Sequence, residues 1–327
     1  MELLKKLTQT DGASGNEGAV CEIIKNEIEK YCDELYTDAM GNLIAHISGK
    51  GKKVMFAAHM DEIGIIVTAA DENGFLRFGN IGGLYVKQLV GRRVRFNGGL
   101  VGVIGSEEEE FNKKPSFDKL YIDIGAKNAE DAKKHVSIGD TAVFTGEWYE
   151  HGNLMISKAL DNRTGCYMLI KAIQSVKNSE NDLYFVFTSQ EEVGLRGSKT
   201  AAFSINPDYA AAVDVTDTGD TPKAPVMEVK LGGGAAIKVM DRSVMCDADV
   251  RVKMIETAKK HNIPYQLEIM TDGGTDAGAI HLTRAGVKTG GISLPVRYVH
   301  SPSEAADKED LKACVSLITA LAQEKWD

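Results

Sequence analysis

Hydrophobic residues recur along this chain with two different periods, which predict helices and buried strands in alternation. Residues 14–31 predict the first long helix, because Val20, Ile24 and Ile28 fall on one face and Ser14 with Glu17 has capping-box spacing. Helical spacing returns at 162–177, 247–261 and 307–325. Continuous apolar runs, typical of strands buried on both faces, occur at 54–58 (VMFAA), 183–187 (LYFVF) and 209–213 (YAAAV). This alternation predicts an α/β fold, in which a mixed, mostly parallel sheet carries helices on both faces.

The pattern changes between residues 68 and 153. Short alternating runs such as RRVRF and TAVFTG are separated there by glycine-bearing turns, for example Asn97-Gly98-Gly99. One helical segment, AEDAKKH, interrupts them, and the acidic run Glu107–Glu110 predicts a solvated loop. We therefore expect a β-rich domain at 68–153, inserted into a catalytic domain that comprises residues 1–67 and 154–327.

Composition and charge exclude several classes of protein. The 327 residues include 38 lysines and arginines against 47 aspartates and glutamates, a formal net charge of -9. That balance argues against binding to nucleic acid or to an anionic membrane, since both need a cationic surface. No run of about 18–20 apolar residues is present that could span a membrane. The five cysteines have no CxxC spacing and are expected to be reduced thiols, as in a cytoplasmic protein.

Histidines and carboxylates lie at the ends of several predicted elements. They are His59, Asp61, Asp161, Glu191, Glu192, Asp214 and His300. In open α/β sheets, ligands bind beyond the carboxyl ends of the strands, which meet at one edge. Any one of these residues, taken alone, is more often a solvated cap. Because several separate segments deliver the same kind of ligand to one edge, the sequence predicts a functional site there.

The residue types expected at this edge indicate a site for divalent metal ions. Mixed imidazole and carboxylate ligands suit zinc, manganese or cobalt better than calcium or magnesium, which prefer oxygen alone. Two such ions about 3.5–4 Å apart commonly serve the hydrolysis of peptides or phosphate esters. Asp61, two residues beyond His59, can accept the other ring N–H of that histidine and fix its tautomer. The adjacent Glu191 and Glu192 can divide their roles, one as a ligand and one as a general base.

Six segments carry a resemblance to a known family. They are AHMDEIG (58–64), KALDNRTG (158–165), TSQEEVGLRG (188–197), AVDVTDTGD (212–220), TDGGTDAG (271–278) and RYVHSP (297–302). In this order, with a β-rich insert between the first two, the chain resembles the M42 family of dinuclear-metal aminopeptidases. The resemblance implies a cytoplasmic hydrolase that removes N-terminal amino acids from short peptides.

The resemblance also implies two divalent metal ions in each subunit, zinc in the first place and cobalt or manganese as alternatives. The implied ligands are His59, Asp161, Glu192, Asp214 and His300. Asp161 would bridge both ions, and each of the other four ligands would bind one ion.

Further roles follow from the same resemblance. Glu191 would be the catalytic base, and Asp61 would orient His59. A cis peptide bond is expected between Asp161 and Asn162. The insert would be a PDZ-like or barrel-like dimerisation domain, and the dimers would assemble into a dodecameric tetrahedral shell.

Two other functions stay open at this point. A glycoside hydrolase is suggested by the cellulase label of some family members, but aromatic residues make up only 7% of the chain and that chemistry gives the two histidines no role. A metal-stabilised oligomer without catalysis would not need Glu191 beside a ligand. The sequence does not predict a preference for acidic, neutral or basic N-terminal residues. Arg242 and Lys238 are candidate pocket cations, although solvated positions are the simpler interpretation.

Overall fold

The computed structural model of the chain describes residues 1–177 and 179–327. Its helices are α1 (Glu2–Gln9), α2 (Gly18–Ile28), α3 (Glu108–Lys113), α4 (Ala129–Lys133), α5 (Leu160–Ser175), α6 (Arg196–Ile205), α7 (Ala248–Lys260), α8 (Ala277–Ile280) and α9 (Lys308–Gln323). Its first strands are β1 (Glu34–Thr37), β2 (Leu43–Ile47), β3 (Lys53–His59), β4 (Gly64–Ala70), β5 (Leu76–Ile81), β6 (Arg93–Phe96), β7 (Val101–Ser106), β8 (Leu120–Asp123) and β9 (Thr141–Phe144). The remaining strands are β10 (Tyr149–His151), β11 (Leu154–Ser157), β12 (Asp182–Thr188), β13 (Tyr209–Thr216), β14 (Ala235–Met240), β15 (Tyr265–Ile269), β16 (Lys288–Arg297) and β17 (Glu304–Asp307). Across these two ranges, no helix is long and apolar enough to cross a membrane.

A large mixed sheet forms the body of the protein. In the described residues it has eleven strands in the order β1-β2-β12-β3-β13-β16-β17-β11-β10, with β14 beside β16 and β15 beside β14. The four neighbours β12, β3, β13 and β16 run parallel, and β14 also pairs parallel with β15. The other described pairs of this sheet, such as β12 with β2 and β16 with β17 or β14, are antiparallel. The fold class predicted from the sequence is therefore confirmed, with the parallel pairing concentrated at the centre of the sheet.

Alternate residues of β3 point to opposite faces of the sheet, as the pleat of a strand requires. Val54, Phe56 and Ala58 pack in the core that also contains apolar residues of α1, α2, α5 and α9. Met55 and Ala57 pack on the other face, against residues of α6 and α8. The continuous apolar run at 54–58 is thus buried on both sides, which fixes the position of the residues that follow it.

A closed barrel is inserted between β3 and α5. Its strands follow the order β4-β5-β8-β7-β6-β9, and its own core includes Ile65, Val94, Ile104 and Ile122. The barrel strands begin at Gly64 and end at Phe144, while the hairpin of β10 and β11 pairs with the large sheet through β17. The acidic run after Ser106 is not a loop as expected, since α3 begins at Glu108.

The helix predicted at 14–31 is α2, and it starts later in the structure than predicted. The α2 helix begins at Gly18, because the two predicted capping side chains have partners elsewhere. The Ser14 hydroxyl donates to Asp61 Oδ2 at 2.6 Å, and Glu17 Oε1 accepts hydrogen bonds from the backbone N–H groups of Gly15 and Gln190. The peptide bond between Asp161 and Asn162 is cis, as predicted.

A buried group of charges ties the N-terminal segment to the end of β3. The Arg163 guanidinium, which is fully buried, donates to the backbone carbonyls of Leu7, Thr10 and Met60 at 2.6–2.7 Å. It also donates to Glu62 Oε1 at 3.1 Å, and the buried Lys158 ammonium donates to both oxygens of Glu62. Met60 and Glu62 flank Asp61, one of the candidate site residues. This buried group of charges therefore fixes the main chain on both sides of Asp61.

We expect Arg163→Met to destabilise the protein by about 3–5 kcal/mol, since it leaves buried carbonyl groups and part of a buried ion pair without their partner. Arg77→Met is the matched control: Arg77 pairs with Glu107, but the side chains are 33% and 37% exposed, so the loss should stay below about 1 kcal/mol. Urea unfolding of the metal-free variants measures both values. Equal losses in the two variants would contradict the structural role of Arg163.

Candidate metal centre and active site

The parallel centre of the sheet delivers the candidate residues to one edge. His59 is the last residue of β3 and is paired with Thr188, the last residue of β12. Glu191 and Glu192 follow within four residues of Thr188. The other three candidates are Asp214 near the end of β13, His300 just beyond β16, and Asp161 in the first turn of α5. All seven predicted site residues, Asp61 included, are therefore grouped at this edge.

The Asp161 carboxylate lies between two groups of possible ligands. Its Oδ1 is 3.1 Å from His59 Nε2, and its Oδ2 is 3.3 Å from His300 Nε2. Asp214 Oδ1 is 3.7 Å from His59 Nε2, and Glu192 Oε2 is 3.3 Å from His300 Nε2. Within each group, the possible ligand atoms lie within 4.8 Å of one another. Each oxygen of Asp161 thus belongs to a different set of one imidazole and two carboxylates.

The electrostatics of the cluster favour divalent cations. Burial raises the pKa of Glu191 well above its usual range and also raises the pKa of Glu192 and Asp214. Burial opposes protonation of His300, but the neighbouring Glu192 and Asp161 carboxylates raise its pKa to about 12. Within residues 1–177 and 179–327, these carboxylates form ion pairs only with His59 and His300. The donor set therefore fits two divalent ions, which would balance this buried negative charge.

Asp61 has more partners than the sequence revealed. His59 Nδ1 is 3.1 Å from the backbone carbonyl oxygen of Asp61 and 3.4 Å from its Oδ1. The same carboxylate accepts hydrogen bonds from the backbone N–H groups of Glu191 and Glu192, at 3.0 and 3.2 Å. Asp61 consequently contacts both the histidine and the main chain that carries the two glutamates.

Other carboxylates near the site were missed by the sequence analysis. Glu304 is buried, and its two oxygens accept the backbone N–H groups of Asp161 and His300 at 3.0 and 2.9 Å. Asp276 is also buried, accepts a hydrogen bond from the Thr188 hydroxyl, and has its pKa raised by burial to about 6. The sequence offered one signal, because Asp276 lies within TDGGTDAG and Glu304 lies two residues after RYVHSP. Nothing in the sequence indicated which of the nearby carboxylates is buried.

A cavity of about 570 Å³ opens over the cluster. Beyond the candidate ligands, its lining includes the charged residues Arg242, Asp217 and Asp272, all three of them exposed. Lys238 does not have the solvated position expected for it. Its ammonium is buried in an ion pair with Glu268 and lies 3.5 Å from Asp241 Oδ2, so two carboxylates take up its charge. The cavity wall also includes Gly83 and Tyr85, which come from the barrel.

Comparison with known proteins identifies the family. A model of the M42 glutamyl aminopeptidases matches residues 41–317. A protein of Acetivibrio thermocellus, provisionally named an aminopeptidase, is 56% identical over 97% of this chain and 96% of its own. The lysyl aminopeptidase of Pyrococcus furiosus is 34% identical over 99% and 96% of the two chains. The glutamyl aminopeptidase of Lactococcus lactis is 28% identical over 97% and 94%.

Solved structures share the same architecture. An aminopeptidase of the archaeon Desulfurococcus kamchatkensis has a TM-score of 0.94 and 39% identity, covering 98% of this chain and 94% of that one. The TET1 peptidase of Pyrococcus horikoshii, described as assembling into a tetrahedron or a large octahedral shell, has a TM-score of 0.88 and 38% identity over 99% of both chains. Another TET1 structure (TM-score 0.89, 38% identity, 99% and 98% coverage) is described as a dodecamer. A Thermotoga maritima structure described as an endoglucanase has a TM-score of 0.83 and 36% identity, covering 98% and 96%.

The fold and the family match together define a peptide hydrolase built on a mixed sheet. The chain belongs to the M42 glutamyl aminopeptidase family, as its motifs predicted. The predicted enzyme class, an aminopeptidase, is confirmed by the same matches.

We expect zinc or cobalt to raise the thermal unfolding temperature of protein first treated with a chelator. An ion that binds only the folded state stabilises it by about 2.7 kcal/mol at a free concentration a hundredfold above its Kd. Asp161→Asn should lose most of this gain and most of the bound metal, because Asp161 faces both groups. The exposed Asp123→Asn is the control. Mass spectrometry measures the metal content, and a titration measures the affinity. If both are unchanged in Asp161→Asn, Asp161 is not a metal ligand.

Proposed function

We propose that this protein is a dinuclear-metal aminopeptidase that removes N-terminal residues from short peptides. The observation that carries the proposal is the position of Asp161, whose two oxygens face His59 and His300 at 3.1 and 3.3 Å. A carboxylate placed in this way is suited to bridge two ions. His59 and Asp214 would complete one set of ligands, and Glu192 and His300 the other.

Glu191 is the residue we assign as the general base. It lines the cavity, and its Oε2 is 3.9 Å from His59 Nε2, so it lies beside the ligand groups. When bound, the ions would polarise the scissile carbonyl group and make water more acidic. The Glu191 carboxylate accepts the proton of the attacking water and then transfers it to the leaving amine. The backbone hydrogen bonds from residues 191 and 192 to Asp61 hold this carboxylate in position.

The substrate enters as a free peptide N-terminus. Its ammonium group would be attracted to the acidic groups of the cavity, which include Asp217 and Asp272 besides the ligands. Relatives are named for lysyl and for glutamyl substrates, and the cavity of this chain exposes Arg242 as well as acids. We therefore assign the reaction to N-terminal residues in general and make the side-chain preference a matter for measurement.

The quaternary structure and location belong to the same proposal. The TET1 relatives are described as tetrahedral and dodecameric, and the barrel of this chain carries none of the candidate ligands in its strands. We assign the inserted domain, predicted at residues 68–153 and built on the barrel strands from Gly64 to Phe144, as the dimerisation domain. The rest of the chain, predicted as residues 1–67 with 154–327, is assigned as the catalytic domain. The dimers would assemble into a dodecamer in the cytoplasm.

One structural relative favours a second candidate, since it is described as an endoglucanase. Sugar-binding clefts usually contain several exposed aromatic rings. In the part of the chain that the structure describes, Tyr85 is the only phenylalanine, tyrosine or tryptophan in the cavity lining. Cleavage of a soluble cellulose derivative, insensitive to chelators, would favour this alternative.

We expect metal-loaded protein to release free amino acids from aminoacyl chromogenic substrates, and a chelator to abolish the release. Glu191→Gln should keep both ions and lose about 10²–10⁴-fold in turnover, because the amide is nearly isosteric but cannot accept the proton. Glu22→Gln, an exposed change on α2, is the control. A panel of Glu, Asp, Leu and Lys derivatives measures the preference in the same experiment.

Two results would overturn parts of this proposal. Wild-type turnover by a fully metallated Glu191→Gln protein would remove Glu191 as the base. Full occupancy without hydrolysis of any substrate in the panel would instead identify a metal-stabilised assembly without peptidase activity.

We expect light scattering to give the mass of a dodecamer, or of a dimer on the way to it, at micromolar concentration with metal present. The physical reason is that the barrel has a core of its own and its strands carry none of the candidate ligands, so its outer surface is available for association. A stable monomer under these conditions would contradict the assembly.

A further inference from the structure

A short segment of the barrel reaches the candidate active site. Residues Gly82 to Tyr85 connect β5, which ends at Ile81, to the turn of 3-10 helix at Val86–Gln88. Gly83 and Tyr85 line the cavity together with His59, Glu191 and His300. The wall of the cavity is therefore built by both parts of the molecule, and not by the large sheet alone.

Two glycines allow this close approach. A Cβ atom on Gly82 would lie 2.8 Å from Glu192 Oε2, and one on Gly83 would lie 3.0 Å from His300 Nδ1. Gly82 also has a φ of +76°, a conformation that favours glycine. The segment thus packs directly against the side chains of one candidate ligand group, and this contact sets the position of Tyr85, two residues after Gly83.

Tyr85 is the aromatic residue that this segment contributes to the cavity wall. It is 60% exposed and lines the cavity, where Leu195 and Met270 add apolar surface from the other part of the molecule. An exposed aromatic ring in a concave site is the kind of surface that packs on apolar groups of a ligand. Nothing in the proposed bond cleavage requires this ring, so its position indicates a role in binding.

We infer that Tyr85 is a specificity-determining residue, whose ring packs against apolar side chains of the bound peptide. This inference rests on the proposed peptidase function and deepens it, because it gives the inserted barrel a part in substrate selection. The substrate class it favours is a peptide with large apolar residues at its N-terminal end.

Binding can be measured without turnover in the Glu191→Gln background. Calorimetry with metal-loaded protein compares the tripeptides Leu-Leu-Leu and Gly-Gly-Gly, and the parent should bind the first more tightly. Adding Tyr85→Ala should shrink this preference about three- to tenfold, the range typical of an aromatic contact. Tyr85→Phe should keep the preference, since the ring is retained. Tyr149→Ala is the matched control, because Tyr149 is 59% exposed on β10, away from the cavity lining.

The outcomes separate this inference from the proposed function. Equal binding of the two peptides by the parent, or an unchanged preference in the Tyr85→Ala variant, would overturn the role of Tyr85 while leaving hydrolysis by the wild-type protein intact. Failure of the wild-type protein to hydrolyse any peptide would overturn the function, and the binding comparison would still report on Tyr85. Metal content and light scattering are measured for each variant. If a variant loses the preference and also loses metal or changes its oligomeric state, that result counts against a direct contact of Tyr85 with the peptide.

Discussion

A concentration of buried negative charge at one sheet edge is the constraint on which the site depends. Asp161, Glu191, Glu192 and Asp214 are drawn together there, with two imidazoles as their only cationic partners in the described parts of the chain. Such a cluster is unfavourable from protein groups alone. It persists because the strands of the parallel centre end side by side and the core beneath them is filled on both faces. The same arrangement that strains the metal-free protein electrostatically makes it receptive to divalent ions.

Around this cluster, carboxylates hold the main chain in place. Asp61 accepts the N–H groups of Glu191 and Glu192, while Glu304 accepts those of Asp161 and His300. Positive charge is present one layer further away, but Glu62 takes up both Lys158 and Arg163. Cations that could neutralise the ligands are therefore kept apart from them, and the ligands stay available for metal.

The sequence predicted what depends on local pattern and missed what depends on distant contacts. The long helices α5 and α9 and the buried strand β3 were found within two residues of their observed ends, because their apolar periodicity is strong. The short helix α1 was missed, since its two buried leucines, Leu4 and Leu7, make too brief a pattern. Ser14 suggested a helix cap, but its partner Asp61 is 47 positions away. Glu304 accepts a hydrogen bond from the backbone N–H of Asp161, although 143 positions separate the two residues, and no local pattern in the sequence predicts such a contact.

The contact of Gly82 and Gly83 with Glu192 and His300 limits how the inserted barrel could be removed or replaced. Excising the barrel to obtain a minimal enzyme would strip one side of the cavity and uncover a candidate ligand group. A catalytic sheet without this insert would need another loop to shield the same histidine. A foreign module transplanted at the same junction would fit only if the loop after its second strand approached the ligand group as closely as Gly82 and Gly83 do.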